Sequence, residues 1–268
     1  MFLRKFLILC IHYPSGSLLL ITVSEFTEIG TMTIEVAKSP VCIVTGANKG
    51  IGLAVVRELC RLFPSGHVYL TSRNLESGQS AVETLRNEGF SPKYHQLDIN
   101  DDDSIAVFHD FIKNNHDGID VLVNNAGIAY KNDSPAPFAE QAEVTVKTNF
   151  DGTRRVCNKL FLLLKSGCRV VNVSSNCGHL SKINGAEPAA QTLRSKLSSD
   201  TLTEQELVRL MEDFVTAAKK GEHYKEGWPN GSYKVSKVGL SALTRVQQKM
   251  LDECRFEEDI VVNNVHPG

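Results

Sequence analysis

The 268-residue chain has no excess of either charge: 29 Lys and Arg stand against 31 Asp and Glu, a formal net of −2. Without a basic excess or a Lys/Arg block, nothing holds a polyanion or an anionic membrane surface, and nucleic-acid binding becomes a remote reading. No Cys-x-x-Cys occurs. The seven cysteines (10, 42, 60, 157, 168, 177 and 254) are scattered and odd in number, which argues against a disulfide framework or a zinc site and for a reducing, cytoplasmic compartment. The eight histidines fall singly, so no metal is expected. Long apolar runs are missing from the N-terminal end as well. Phe6 to Ile11 and Leu18 to Val23 are divided by Pro14 and Gly16, and neither approaches the roughly 20 residues of a bilayer span. A signal peptide is the weaker reading, since the apolar core is short and no clear small-x-small site follows. Residues 1–38 read as an extension outside the fold, ahead of a domain over 39–268.

What is present is ordinary globular composition, 42% hydrophobic with 19 glycines, which sets aside disorder, collagen and coiled coil. From Val41 onward, apolar β-branched runs alternate with helical periods. The spacing predicts strands at 41–45, 67–72, 93–98, 119–124, 169–174 and 260–265, and helices at 50–62, 75–88, 102–115, 138–164 and 231–253. Val41-Cys42-Ile43-Val44 and Val121-Leu122-Val123 are continuous apolar runs, as expected of strands covered on both faces. Strict alternation implies right-handed crossovers and an α/β, Rossmann-like, doubly wound parallel sheet. Residues 180–228 interrupt it as a helical insertion. There Thr203-x-x-Glu206 is a capping box, an apolar stripe from Leu207 to Ala218 has helical spacing, and Gly221 can close the helix.

Gly46-x-x-x-Gly50-x-Gly52 falls between the first strand and first helix. Glycine there lets a pyrophosphate approach the backbone, and the helix N-terminus receives its charge. The second strand ends in Ser72-Arg73 rather than in the acid that NAD sites use. Arg73 and Lys49 favour the 2′-phosphate of NADP, since guanidinium holds phosphate by charged, forked hydrogen bonds. Asn124-Asn125-Ala126-Gly127 ends the fourth strand, Ser174-Ser175 the fifth, and Tyr233-x-x-x-Lys237 lies on one helix face. Taken singly, each has a plain reading: a turn, a strand end, a half-buried tyrosine with a snorkelling lysine.

Together, the Thr45-Gly46-x-x-x-Gly50-x-Gly52 loop, Asn124-Asn125-Ala126-Gly127, Asn149, Ser175 and Tyr233-x-x-x-Lys237 resemble the short-chain dehydrogenase/reductase superfamily across about 39–268. Asn48-Lys49-Gly50-Ile51-Gly52, His95-Gln96-Leu97-Asp98-Ile99, Gln141-Ala142-Glu143-Val144-Thr145, Lys225-Glu226-Gly227-Trp228-Pro229 and the 58-position step from Ser175 to Tyr233 are similar to its NADPH-dependent carbonyl reductases. That subgroup is cytosolic, and its insertion covers the usual oligomer surface, which implies a monomer.

The resemblance implies reduction of ketones, aldehydes or quinones by hydride from NADPH. It implies Tyr233 as proton donor, Lys237 as the cation that stabilises phenolate and holds the nicotinamide ribose, Ser175 as orienter of the carbonyl, and Asn149 as holder of a proton-relay water. Around the cofactor it implies Gly46, Gly50, Ile51 and Gly52 at the diphosphate, with Asn48, Lys49 and Arg73 toward the 2′-phosphate. Asp98 and Ile99 would border the adenine, and Asn125 the ribose. Tyr130, Lys131, Asn132 and Gln141 would form the substrate mouth. Trp228 reads equally as core, lid or substrate contact, and Cys177 as an inert buried thiol rather than a reactive one.

The resemblance departs at the far end. In the family, Pro-Gly is followed by a cofactor-binding loop, substrate helices and a seventh strand, whereas Pro267-Gly268 are the last residues here. Two further readings therefore stay open: a truncated product that binds cofactor without turnover, and a hydroxysteroid or prostaglandin-type oxidoreductase of the same superfamily.

Overall fold

The computed structural model describes residues 7–12, 18–23, 39–131 and 133–267. Leu7–His12 (β1) and Leu18–Val23 (β2) pair antiparallel as a two-stranded sheet of their own. The main sheet has six parallel strands: Val41–Val44 (β3), His67–Ser72 (β4), Lys93–Gln96 (β5), Ile119–Asn124 (β6), Leu164–Val173 (β7) and Val261–Val265 (β8). Their order is β5-β4-β3-β6-β7-β8. The chain thus winds outward one way from β3 and then back past it the other way. The switch lies between β3 and β6, the place where open α/β sheets bind ligands at their strand C-termini.

Helices Gly50–Leu62 (α1) and Leu75–Asn87 (α2) cover one face. There Val55, Val56, Leu59 and Leu85 meet Cys42, Val44, Val123 and Val171. Asp102–Asn115 (α3), Thr153–Leu160 (α5) and Ser232–Cys254 (α8) cover the other, where Phe108, Ile112, Val156 and Leu251 meet Ile43, Leu122 and Val170. Burial on both faces explains the unbroken apolar runs of the central strands.

The predicted helix over 138–164 is not continuous. Phe138–Val146 (α4) passes into a π-helical stretch, Lys147–Gly152, before α5, and the chain turns through Phe161–Leu163 into β7 at Leu164. An extra residue per turn shifts the phase of the side chains without changing their polarity, so the apolar pattern does not record it.

The insertion holds two helices, Ala189–Ser198 (α6) and Glu204–Lys220 (α7). The expected capping box is formed: Glu206 N–H donates to Thr203 Oγ1 at 3.2 Å, and Thr203 N–H to Glu206 Oε2 at 2.9 Å. Gly221 ends α7 at φ 73°, in the left-handed region that glycine adopts without strain. The core between α4, α6, α7 and α8 gathers Ile183, Leu197, Phe214, Trp228 and Leu243. Trp228 is 1% exposed, its ring 5.4 Å from that of Phe214, so of its open readings the structure gives core.

Candidate active site

Four elements bring the site together at the C-terminal ends of β3, β6 and β7. The loop after β3 approaches the turn after β6 so closely that a Cβ on Gly46 would lie 2.7 Å from Ala126 Cα, and Gly46 has φ +61°. Only glycine fits both conditions. Asn125 braces this contact, donating from Nδ2 to the carbonyls of Thr45 at 2.9 Å and Gly46 at 3.0 Å. Its amide hydrogens thus hold the loop. Asn48 similarly ties the loop to α2, its Nδ2 donating to Ser77 Oγ at 3.2 Å.

The N-terminus of α1 fits a dinucleotide diphosphate. Lys49, the cap residue, offers no side-chain acceptor, and no acid stands in the first turn. Beyond Gly50 there is open space, with no atom within 4 Å of a built Cβ. The helix end is left with uncapped N–H groups and uncompensated positive charge. Lys49 at the start of α1 and Arg73 after β4 are both exposed. Asp98 forms a turn, accepting from Asn100 N at 2.9 Å. Ile99 is 6% exposed, its Cδ1 packed against Gly152.

The reacting end lies where α8 crosses β7. Lys237 is 5% exposed, and its Nζ donates to the Val173 carbonyl at 2.7 Å. The same ammonium stands 5.6 Å from the centre of the Tyr233 ring, the neighbour one helical turn away. Burial lowers the Lys237 pKa to about 8, because a desolvated ammonium gives up its proton more readily. Tyr233, half-buried, moves the other way. Burial raises its phenol, a hydrogen bond with Ser175 lowers it, and the Cys177 sulfur raises it. Desolvation is the largest influence on the phenol, and the Ser175 contact is the one that lowers it.

Asn149 lies on the π-helical stretch and is 1% exposed. Its Oδ1 accepts from Ile128 N at 2.8 Å, while Nδ2 donates to Ile128 O at 2.9 Å and Ser236 Oγ at 3.0 Å. A Cβ on Gly127 would lie 3.1 Å from that Oδ1 and 3.7 Å from Lys237 Nζ. Asn149 thus joins the β6 turn to α8 and keeps one lone pair of Oδ1 free. Ser236, which the sequence reading passed over, completes the brace by donating to the Tyr233 carbonyl at 2.8 Å.

Tyr130 is half-buried and donates to Glu140 Oε1 at 3.4 Å, and Lys131 is exposed. Gln141 Nε2 donates to the Ala136 carbonyl at 2.8 Å, which makes it a support for the loop before α4. Asn132 lies outside the described residues. Cys177 is half-buried and not fully buried; its N–H donates to Ser175 Oγ at 3.2 Å. Among the described residues no three His, Cys, Asp or Glu side chains group as a metal site, and no helix is long and apolar enough to cross a membrane.

Comparison with known proteins agrees with this geometry. The sequence pattern of the short chain dehydrogenase family matches residues 40–191. Carbonyl reductase [NADPH] 1 of Homo sapiens is 51% identical over 228 residues, which cover 85% of this chain and 80% of that protein. Carbonyl reductase [NADPH] 3 of Homo sapiens is 49% identical over 230 residues, covering 86% and 81%. Among solved structures, salutaridine reductase of Papaver somniferum superposes with a TM-score of 0.73 at 29% identity, covering 84% of this chain and 85% of that one.

Proposed function

The chain belongs to the short chain dehydrogenase family, and on that premise we propose that it is an NADPH-dependent reductase of ketones, aldehydes and quinones. The observation that carries the reading is the juxtaposition of Tyr233, its phenol influenced by the nearby Ser175, with the buried Lys237 beside its ring. NADPH supplies a hydride to the carbonyl carbon when bound. Charge then grows on the carbonyl oxygen, and a donor must stand there. Ser175 Oγ orients that oxygen, and the Tyr233 phenol delivers the proton. Lys237, charged, favours the phenolate left behind and offers its remaining N–H groups to the ribose hydroxyls. Asn149 and Ser236 hold this turn of α8 against the β6 turn. With the chemistry-bearing side chains assembled, nothing in the site favours a cofactor binder without turnover.

The cofactor is read as NADPH because Arg73 stands where an acid would select NAD. Arg73→Ala should raise the KM for NADPH about 10–100-fold, the loss of hydrogen bonds to a charged group, with little change for NADH. An equal effect on both cofactors would remove Arg73 from the 2′-phosphate site.

Activity should also fall as the pH rises. Lys237 is charged below its pKa and neutral above it, so kcat/KM is expected to decline through about pH 8. A rate that holds to pH 10 would contradict the role given to its ammonium. The insertion helices cover α4 and α8, which supports a monomer, and the scattered free cysteines support a cytoplasmic location.

A further inference from the structure

Ser241 has no part in the chemistry above, yet partners from three elements saturate its hydroxyl. It stands one turn after Lys237 on α8, and its Oγ donates to the Lys237 carbonyl at 3.0 Å. The same oxygen accepts from Asn264 Nδ2 on β8 at 2.7 Å and lies 3.2 Å from Ser174 Oγ. The single hydrogen of Ser174 Oγ faces both Ser241 Oγ and, at the longer 3.4 Å, the Lys237 carbonyl, and with Ser241 donating to that carbonyl it serves Ser241 Oγ. A Cβ on Gly178 would lie 2.8 Å from Ser241 Oγ and 3.0 Å from the Lys237 carbonyl, so the turn after Ser175 closes directly onto this cluster.

A serine bonding back to the preceding helical turn is ordinary by itself. This one differs in what it joins. Ser174 is the chain neighbour of Ser175, and Val173, one residue earlier, accepts the Lys237 ammonium at 2.7 Å. One hydroxyl thus fixes the strand end that presents Ser175 to the helical turn that presents Lys237, with β8 behind both. We propose that Ser241, held by Asn264, is a positioning residue that sets Lys237 against Ser175 and Tyr233. The proposal rests on the active-site reading above.

The test uses the full chain with Ser241→Ala, Asn264→Ala and the hydroxyl-retaining Ser241→Thr. Two readouts are followed: steady-state kinetics with NADPH and a small quinone, and the NMR resonance of the Lys237 side-chain ammonium at fixed pH. Misplacing a reacting group by a fraction of an ångström lowers kcat without weakening binding. Ser241→Ala and Asn264→Ala should each lower kcat about tenfold with the KM for NADPH within about twofold, and should move the Lys237 resonance. Ser241→Thr should restore both. An unmoved resonance in Ser241→Ala overturns the proposal whether or not turnover is seen. So does an equal loss in the Ala and Thr variants that tracks only their melting temperatures. Absence of Tyr233-dependent turnover in the unsubstituted chain would instead overturn the functional reading, while the resonance still decides how Lys237 is held.

Discussion

Tyr233→Phe should abolish nearly all carbonyl reduction while leaving the fold and NADPH binding in place. The substitution removes one oxygen and keeps the ring, which stands 5.6 Å from Lys237 Nζ. What is lost is the proton donor, and general acid catalysis contributes about 10²–10⁴-fold. Because the phenol meets Ser175 and not a cofactor-binding loop residue, the loss should fall on kcat, with NADPH dissociation changed little. Steady-state kinetics beside a fluorescence titration of NADPH separates the two. Turnover within about tenfold of the unsubstituted chain would mean that another group delivers the proton.

Trp228→Ala should produce the largest loss of stability. The indole is 1% exposed and packs between Phe214 and the body of the insertion. Replacing a fully buried aromatic by alanine costs about 3–5 kcal/mol, combining lost transfer energy with an unfilled cavity. For a domain of this size that corresponds to a fall of about 6–20 °C in Tm. The insertion shares its core with Val235 and Val238 of α8, so the damage should reach the catalytic helix on heating. At low temperature the kinetics should remain near those of the unsubstituted chain. A variant with unchanged Tm but a raised substrate KM would return Trp228 to the substrate site.

Much of the fold is legible in the sequence because its signals are local. Central strands buried on both faces must be unbroken apolar runs, as Val41–Val44 is. The loop between β3 and α1 must be glycine-rich where Gly46 meets Ala126. The α7 boundaries were written by Thr203, Glu206 and Gly221, each of which acts on the backbone beside it. The failures lie where partners are distant in sequence. The π-helical stretch at 147–152 preserves side-chain polarity and leaves no periodic trace. The helix read through 164 stops short, because Phe161–Leu163 turns as a 3-10 segment and Leu164 pairs with Ile119 of β6, and α6 shows only Ala190, Leu193 and Leu197 on its buried side.

The site divides in the same way. Ser175, Tyr233 and Lys237 come together as their motifs imply. Asn125 and Asn149 also donate to backbone carbonyls distant in the chain, and Gln141 to that of Ala136 five residues back, contacts that stand beside the ligand roles their motifs imply. Nothing in their own sequence neighbourhood distinguishes a brace from a ligand. The phenol is a matter of balance: the Tyr/Lys spacing suggests a lowered pKa, but desolvation depends on how deeply the helix is buried, and here it dominates.

The most direct measurement is NADPH oxidation with a small quinone as acceptor, run side by side for the chain and its Tyr233→Phe variant, with NADPH binding confirmed for both. The account predicts turnover in the first and a loss of about 10²–10⁴-fold in the second at equal cofactor affinity. A folded, NADPH-binding chain that turns over no quinone, aldehyde or ketone, or whose turnover ignores Tyr233, would contradict it.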